Sequence, residues 1–153
     1  IRNCDWSSDV CSSDLNAAWA YSRLGWLDTY ADRAEEAREY FERALRLSPV
    51  DPMNFNNYVG IASSYQVAGD DNAAADMFQR ALYERRNAHW IHRNLAPALL
   101  GAGREQEAKR SYDALMTAYP DITVKRFKDA MVFTPQALDR IGDQLAALGV
   151  PEE

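Results

Sequence analysis

Few side chains in this sequence stand at spacings that chemistry could use, and each has a competing structural account. His89 and His92 lie three residues apart, a separation that sets two imidazoles on one helix face within reach of one metal ion. No third ligand is fixed beside them, and His92 holds a position where large packing residues recur along the chain, so the pair reads as structural. Glu35, Glu36 and Glu39 come nearest to paired catalytic carboxylates. They fall on a charged helical face with no apolar pocket to shift a proton affinity, and solvation accounts for them. Gly101-Ala102-Gly103-Arg104 has the glycines of a phosphate-cradling loop but lacks a preceding strand and a Gly-Lys-Ser/Thr ending. No Ser/His/Asp or Cys/His order supplies a nucleophile. No catalytic residue, cofactor site or metal site is expected.

The elements that position these residues come from a chain of 153 residues, 47% hydrophobic and 26% charged, which is ordinary for one soluble domain. No run approaches the roughly 18 apolar residues that would span a bilayer, and no secretory signal is visible. A cytoplasmic location is therefore expected. The N-terminus reads unlike the rest. Asp5 to Leu15, DWSSDVCSSDL, has no helical period, and back-translated it resembles a widely used short-read sequencing adapter read in frame. Residues 1–15 are thus expected to be a non-native, disordered segment, with the true reading frame continuing upstream. Both cysteines, Cys4 and Cys11, fall inside it and say nothing about redox compartment. Without this segment, 16 basic and 20 acidic residues remain. A mildly acidic chain with no basic run is a poor partner for nucleic acid or an anionic membrane.

Internal similarity carries most of the information. One segment has Tyr21, Leu24 and Gly25, then Ala37, Phe41, Ala44 and Pro49. A second has Tyr58, Ile61, Ala62, Tyr65 and Gly69, then Ala74, Phe78 and Ala81. The third has His92, Leu95, Ala96, Leu99 and Gly103, then Ala108, Tyr112, Leu115 and Pro120. The second and third are offset by 34 residues, the first and second by 37. The three extra residues belong in the Ser48–Asn54 connection, where Pro49 and Pro52 oppose helix. Small residues at Gly25, Ala62 and Ala96, and at Ala37, Ala74 and Ala108, would let antiparallel helices approach. Phe41, Phe78 and Tyr112 would fill the space between hairpins. This register resembles the tetratricopeptide repeat, and the fold it implies is an all-α solenoid of three helix hairpins. The repeats are placed at about 18–51, 55–88 and 89–122, within a span of 16–122.

The spacing predicts helices near 16–30 and 34–47, 55–68 and 71–84, and 88–102 and 104–118. Gly69-Asp70 and Gly101-Ala102-Gly103 supply turns. Pro97 falls inside the fifth helix and is expected to kink or loosen it. Glu39/Arg43, Glu42/Arg46 and Glu105/Lys109 have the acid-before-base i,i+4 spacing of surface ion pairs. Residues 123–153 read as a two-helix C-terminal cap over the third hairpin. Thr123 or Asp121 would start its first helix, Thr134 and Pro135 its second, and Gly149 and Pro151 would end it. A solenoid closed in this way couples only nearest neighbours.

The C-terminal stretch also resembles a recurrent bacterial ending, on Pro120, Ile122-Thr123-Val124 and Arg126, then Leu145 and Leu148-Gly149-Val150-Pro151-Glu152. Chains with this ending carry tetratricopeptide repeats behind a class III adenylate/guanylate cyclase domain or a winged-helix DNA-binding domain. The resemblance implies the regulatory arm of a signalling protein and transfers no activity to any residue here. A cyclase fragment and a transcription-regulator arm stay open as alternatives.

Such a module would bind a protein or peptide on the inner face of the stack, where the first helices of the hairpins turn one side. That side carries Trp19, Trp26 and Tyr30, then Asn56, Val59, Ser63 and Gln66, then Trp90 and Arg93. Trp, Tyr and Arg are the types enriched at binding hot spots. The competing account of Trp19, Trp26 and Tyr30 is packing against a missing upstream part of the chain.

Overall fold

A computed structural model describes the backbone from residue 9 and the side chains from residue 16, through to residue 153. The disorder expected for residues 1–8 lies outside the described residues. The elements are α1 (Asp9–Tyr30), α2 (Ala34–Leu47), α3 (Asn54–Ala68), α4 (Asp71–Glu84), α5 (His92–Gly101), α6 (Glu105–Ala118), α7 (Val124–Ala130) and α8 (Pro135–Leu148). A 3-10 turn, His89–Ile91, leads into α5. The described residues contain no strand. Helices pair as α1–α2, α3–α4 and α5–α6, and the hairpins stack through α2 on α3 and α4 on α5. This is an all-α helical-repeat solenoid.

The hairpins follow from patterning. On α2, Ala37, Phe41 and Ala44 are fully buried at i, i+4 and i+7, while Glu35 and Glu36 lie in the first turn, where they complement the helix dipole. Asp70 caps α4 by accepting from the Ala73 N–H at 3.0 Å. Gly69, at φ 87°, takes the left-handed conformation that closes α3. Phe41 shows why small residues recur. Its ring lies between α1 and α3, and a Cβ built on Gly25 would stand 2.8 Å from its Cζ, one on Gly60 only 2.2 Å. Gly25 and Gly60 are thus the two walls of a slot for one aromatic ring, and the ring fills the space between the first and second hairpins.

Several expectations need correction. The first helix begins at Asp9, not Asn16, so residues 9–15 have helical backbone. Once a helix is nucleated, each further residue adds a hydrogen bond without needing a packed face. Helix α5 runs on through Pro97, whose ring is buried. A proline removes the donor for the carbonyl four residues earlier and loosens the turn around it. Next to that point, Gln66 Nε2 donates to the Asn94 carbonyl at 3.0 Å, and Gln66 Oε1 accepts from Asn94 Nδ2 at 3.0 Å. Of the three expected i,i+4 pairs only Glu42–Arg46 forms, at 3.7 Å. Arg43 lies over the Tyr21 ring instead, 4.5 Å from its centroid.

The C-terminal helices do more than cover the third hairpin. Thr123 and Thr134 cap α7 and α8 as expected, and Gly149 ends α8 at φ 103°. The other first-turn N–H groups of α7 donate to the tail, Val124 to the Pro151 carbonyl at 2.8 Å and Lys125 to that of Glu152 at 3.1 Å. From α8, Arg140 donates to Asp71 Oδ1 at 2.8 Å and to the Gln66 carbonyl, and Gln144 donates to Asp71 Oδ2 at 2.7 Å. Phe133, just before α8, brings its ring to 6.4 Å from that of Tyr30 at the end of α1. Residues 133–144 therefore touch all three hairpins, and strictly nearest-neighbour coupling does not describe this fold.

Candidate functional site

The nine residues expected on the inner face divide four ways. Val59, Ser63 and Gln66 are buried, with Gln66 fully enclosed in its pair with Asn94. They line no open surface, because α3 is the middle first-helix and its inward side is covered by neighbouring helices and by α8. Trp19, Trp26 and Asn56 border a small recess of about 180 Å³ between α1 and the start of α3. There Ser22 Oγ donates to Asn57 Oδ1 at 2.6 Å, and the Arg23 guanidinium stacks 4.5 Å over Trp19. Trp26 is packed within its own hairpin, edge-on to Phe41 with ring centroids 5.5 Å apart. Tyr30 packs beside Trp26, with ring centroids 5.7 Å apart, and near Phe133, and burial raises its hydroxyl pKa, opposed by the nearby Arg23 charge.

Trp90 and Arg93 fall in a larger recess of about 450 Å³ between the third hairpin and α7. Trp90 comes from the 3-10 turn and Arg93 from the first turn of α5, and the Arg93 guanidinium lies 5.5 Å from the centre of the Trp90 ring. Leu115, Ile122 and Phe127 form apolar walls, with Tyr119 and Arg126 also lining the recess. Pro120 ends α6, and the chain turns back through Ile122 to bring α7 over the opening. Burial pushes the pKa of Arg93 down from its ordinary value, opposed by Tyr119. Tyr119, Ile122, Arg126 and Phe127 were absent from the expected surface. Their signal was the proline at 120 followed by an apolar and basic stretch, but only the fold sets that stretch beside α5.

His89 and His92 stack with ring centroids 6.4 Å apart. Burial, then the charge of His89, holds the His92 pKa below its ordinary value, and its Nδ1 lies 2.8 Å from Ser111 Oγ. No group of three His, Cys, Asp or Glu side chains able to hold a metal ion occurs among the described residues. None of the described helices is long and apolar enough to cross a membrane. Arg104, at the end of the glycine-containing turn before α6, ties two hairpins together. It bonds Asp76 at 2.7 Å, Gln79 at 2.9 Å and Glu107 at 2.8 Å.

A tetratricopeptide repeat family model matches residues 20–51, the first hairpin from within α1 to just past α2. With the stacked hairpins, that match supports a tetratricopeptide repeat protein. Repeats of this kind are protein-interaction modules, and all-helical folds built from them are typically non-catalytic. No curated protein matches the chain.

Proposed function

We propose that this chain is a non-catalytic module that binds a protein or peptide, with its main contact surface at the recess around Trp90 and Arg93. One observation carries this placement. Trp90 and Arg93, an indole and a guanidinium, share an open recess of about 450 Å³ with apolar walls, the combination from which interface hot spots are built. The first-hairpin recess by Trp19, Trp26 and Asn56 is smaller, and Trp26 is already engaged with Phe41. We further propose three repeats, over about 18–51, 55–88 and 89–122, with 123–153 as a cap, serving as the cytoplasmic C-terminal arm of a bacterial signalling protein. The ending from Pro120 to Glu152 supports that attribution through its resemblance to repeat regions behind cyclase or winged-helix domains.

The test is capture from a bacterial lysate by the full chain and by Trp90→Ala with Arg93→Ala, followed by titration of any protein that both retain or only one retains. Truncating a hot-spot residue costs about 2 kcal/mol or more, close to thirtyfold in affinity. Unchanged binding with unchanged helicity would move the surface elsewhere. Reading the coding sequence upstream of residue 16 tests the signalling attribution. A cyclase domain would show metal-binding aspartates there, a winged helix a basic recognition helix.

A further inference from the structure

The recess between α5, α6 and α7 presents two guanidinium groups beside apolar walls. Arg93 donates only to the neighbouring Asn94 Oδ1, at 3.3 Å, and stacks on Trp90. Arg126 donates Nη1 to the Asp121 carbonyl oxygen at 2.6 Å, which fixes the head of the side chain at the rim. Neither has a carboxylate partner among the described residues. Arg93 is part-buried and Arg126 exposed, whereas the part-buried Arg104 and Arg140 do hold carboxylates, Arg104 those of Asp76 at 2.7 Å and Glu107 at 2.8 Å, and Arg140 that of Asp71 at 2.8 Å. Asp121 lends Arg126 its backbone carbonyl and, exposed, also lines the recess.

A guanidinium drawn out of water without a counter-charge bears a desolvation cost that an incoming anion offsets, and its planar fork suits a carboxylate. The burial that lowers the Arg93 pKa is the same effect. Trp90, Leu115, Ile122 and Phe127 line the same recess as the two cations and accept an apolar group. We infer that this recess recognises a partner's peptide segment in which an aspartate or glutamate stands next to a large apolar residue. The apolar side chain enters between Trp90 and Phe127, and the carboxylate is held by Arg93 and Arg126. This rests on the protein-binding reading above and names the chemistry of its partner.

The probe is a capped tetrapeptide containing aspartate followed by phenylalanine, with its asparagine counterpart as control. Each is titrated into the full chain while the Trp90 indole N–H is followed by NMR. The aspartyl peptide should shift that signal saturably and bind at least about tenfold tighter than the asparaginyl one, as a charge-assisted hydrogen bond to a carboxylate implies. Arg93→Gln and Arg126→Gln should each abolish the preference, and Ala130→Trp, which adds bulk to the lining of the recess, should abolish binding. Equal affinity for the two peptides overturns the proposal, as does a preference that survives in both arginine variants or a response that leaves Trp90 unmoved. Tighter binding of free 3-phenylpropionate than of the peptide also overturns it, by making the recess a small-molecule site. In lysate capture, equal recovery of partners by wild type and by the doubly substituted Arg93→Gln/Arg126→Gln chain sinks the recess proposal alone. No captured partner for either chain sinks the protein-binding reading as well.

Discussion

Gly60→Ala sets two physical effects against each other with opposite signs. Gly60 is in the interior of α3, where replacing glycine with alanine ordinarily stabilises a helix by about 1 kcal/mol. Here the new methyl would lie 2.2 Å from Phe41 Cζ and 2.4 and 2.6 Å from the two Cε atoms, against a comfortable carbon–carbon separation of about 3.5–4.0 Å. The ring must therefore retreat by more than an ångström. It has nowhere to go, because Phe41 is fully buried and its other side already meets Gly25, whose own Cβ position is 2.8 Å from Cζ. Overpacking of this kind costs about 1–3 kcal/mol and occasionally more, and a clash this deep belongs at the upper end. After the propensity gain the net loss is about 2 kcal/mol, a fall in Tm of about 4–8 °C for a chain of this size. The assay is thermal unfolding by circular dichroism of wild type, Gly60→Ala, Phe41→Leu and the double variant. Leucine lacks the distal ring atoms, so the double variant should be less destabilised than the two singles combined by about 1 kcal/mol or more. A stabilised Gly60→Ala, or strict additivity, would refute the slot between Gly25 and Gly60.

Three further outcomes follow from the contacts between hairpins. Arg140→Ala removes α8's ion pair with Asp71 and its bond to the Gln66 carbonyl and should cost about 1–3 kcal/mol. Hydrogen exchange should quicken at the end of α3 and the start of α4 as well as in α8, and a loss confined to α6–α8 would restore nearest-neighbour coupling. Gln66→Ala and Asn94→Ala each strand a buried polar partner at a cost of about 1–3 kcal/mol, so in denaturant titrations the double variant should lose far less than the two singles together. Full additivity would show that the two amides do not depend on each other. The hydrogen bond from Arg104 holds the Glu107 carboxyl down from 4.5 to about 2. A pKa depressed in the folded state means its contribution is complete above about pH 4.5 and is lost as pH falls toward 2. The Tm advantage of wild type over Glu107→Gln should therefore shrink on acidification through that window, and an advantage that grows there would contradict the pairing.

The helices and their hairpin pairing were legible in the sequence because both rest on short-range rules. Ala37, Phe41 and Ala44 repeat at helical spacing, Asp70, Thr123 and Thr134 cap, and Gly69 and Gly149 supply left-handed closures. Each depends on neighbours within a turn or two, so residue type and spacing suffice. The inner surface was only half legible. Helical phase says which side of α3 carries Val59, Ser63 and Gln66, but not that another element covers that side. Gly60 was overlooked for the same reason, since its value lies in a ring contributed from α2.

What the sequence by itself determined is an all-α chain of stacked hairpins, because periodicity, small residues and helix stops are local properties repeated along the chain. The tertiary structure alone decided where the exposed chemistry gathers. Arg140 and Gln144 meet Asp71, and Phe133 meets Tyr30, across sequence separations that no local pattern encodes. The turn at Pro120 carries Arg126 and Phe127 to the same recess as Trp90 and Arg93. The physical reason is that α8 can bury Ile141 and Leu145 only against surfaces built by other helices. Which surfaces those are depends on the shape of the assembled stack, and that shape fixes which arginines find a carboxylate and which are left facing an apolar recess.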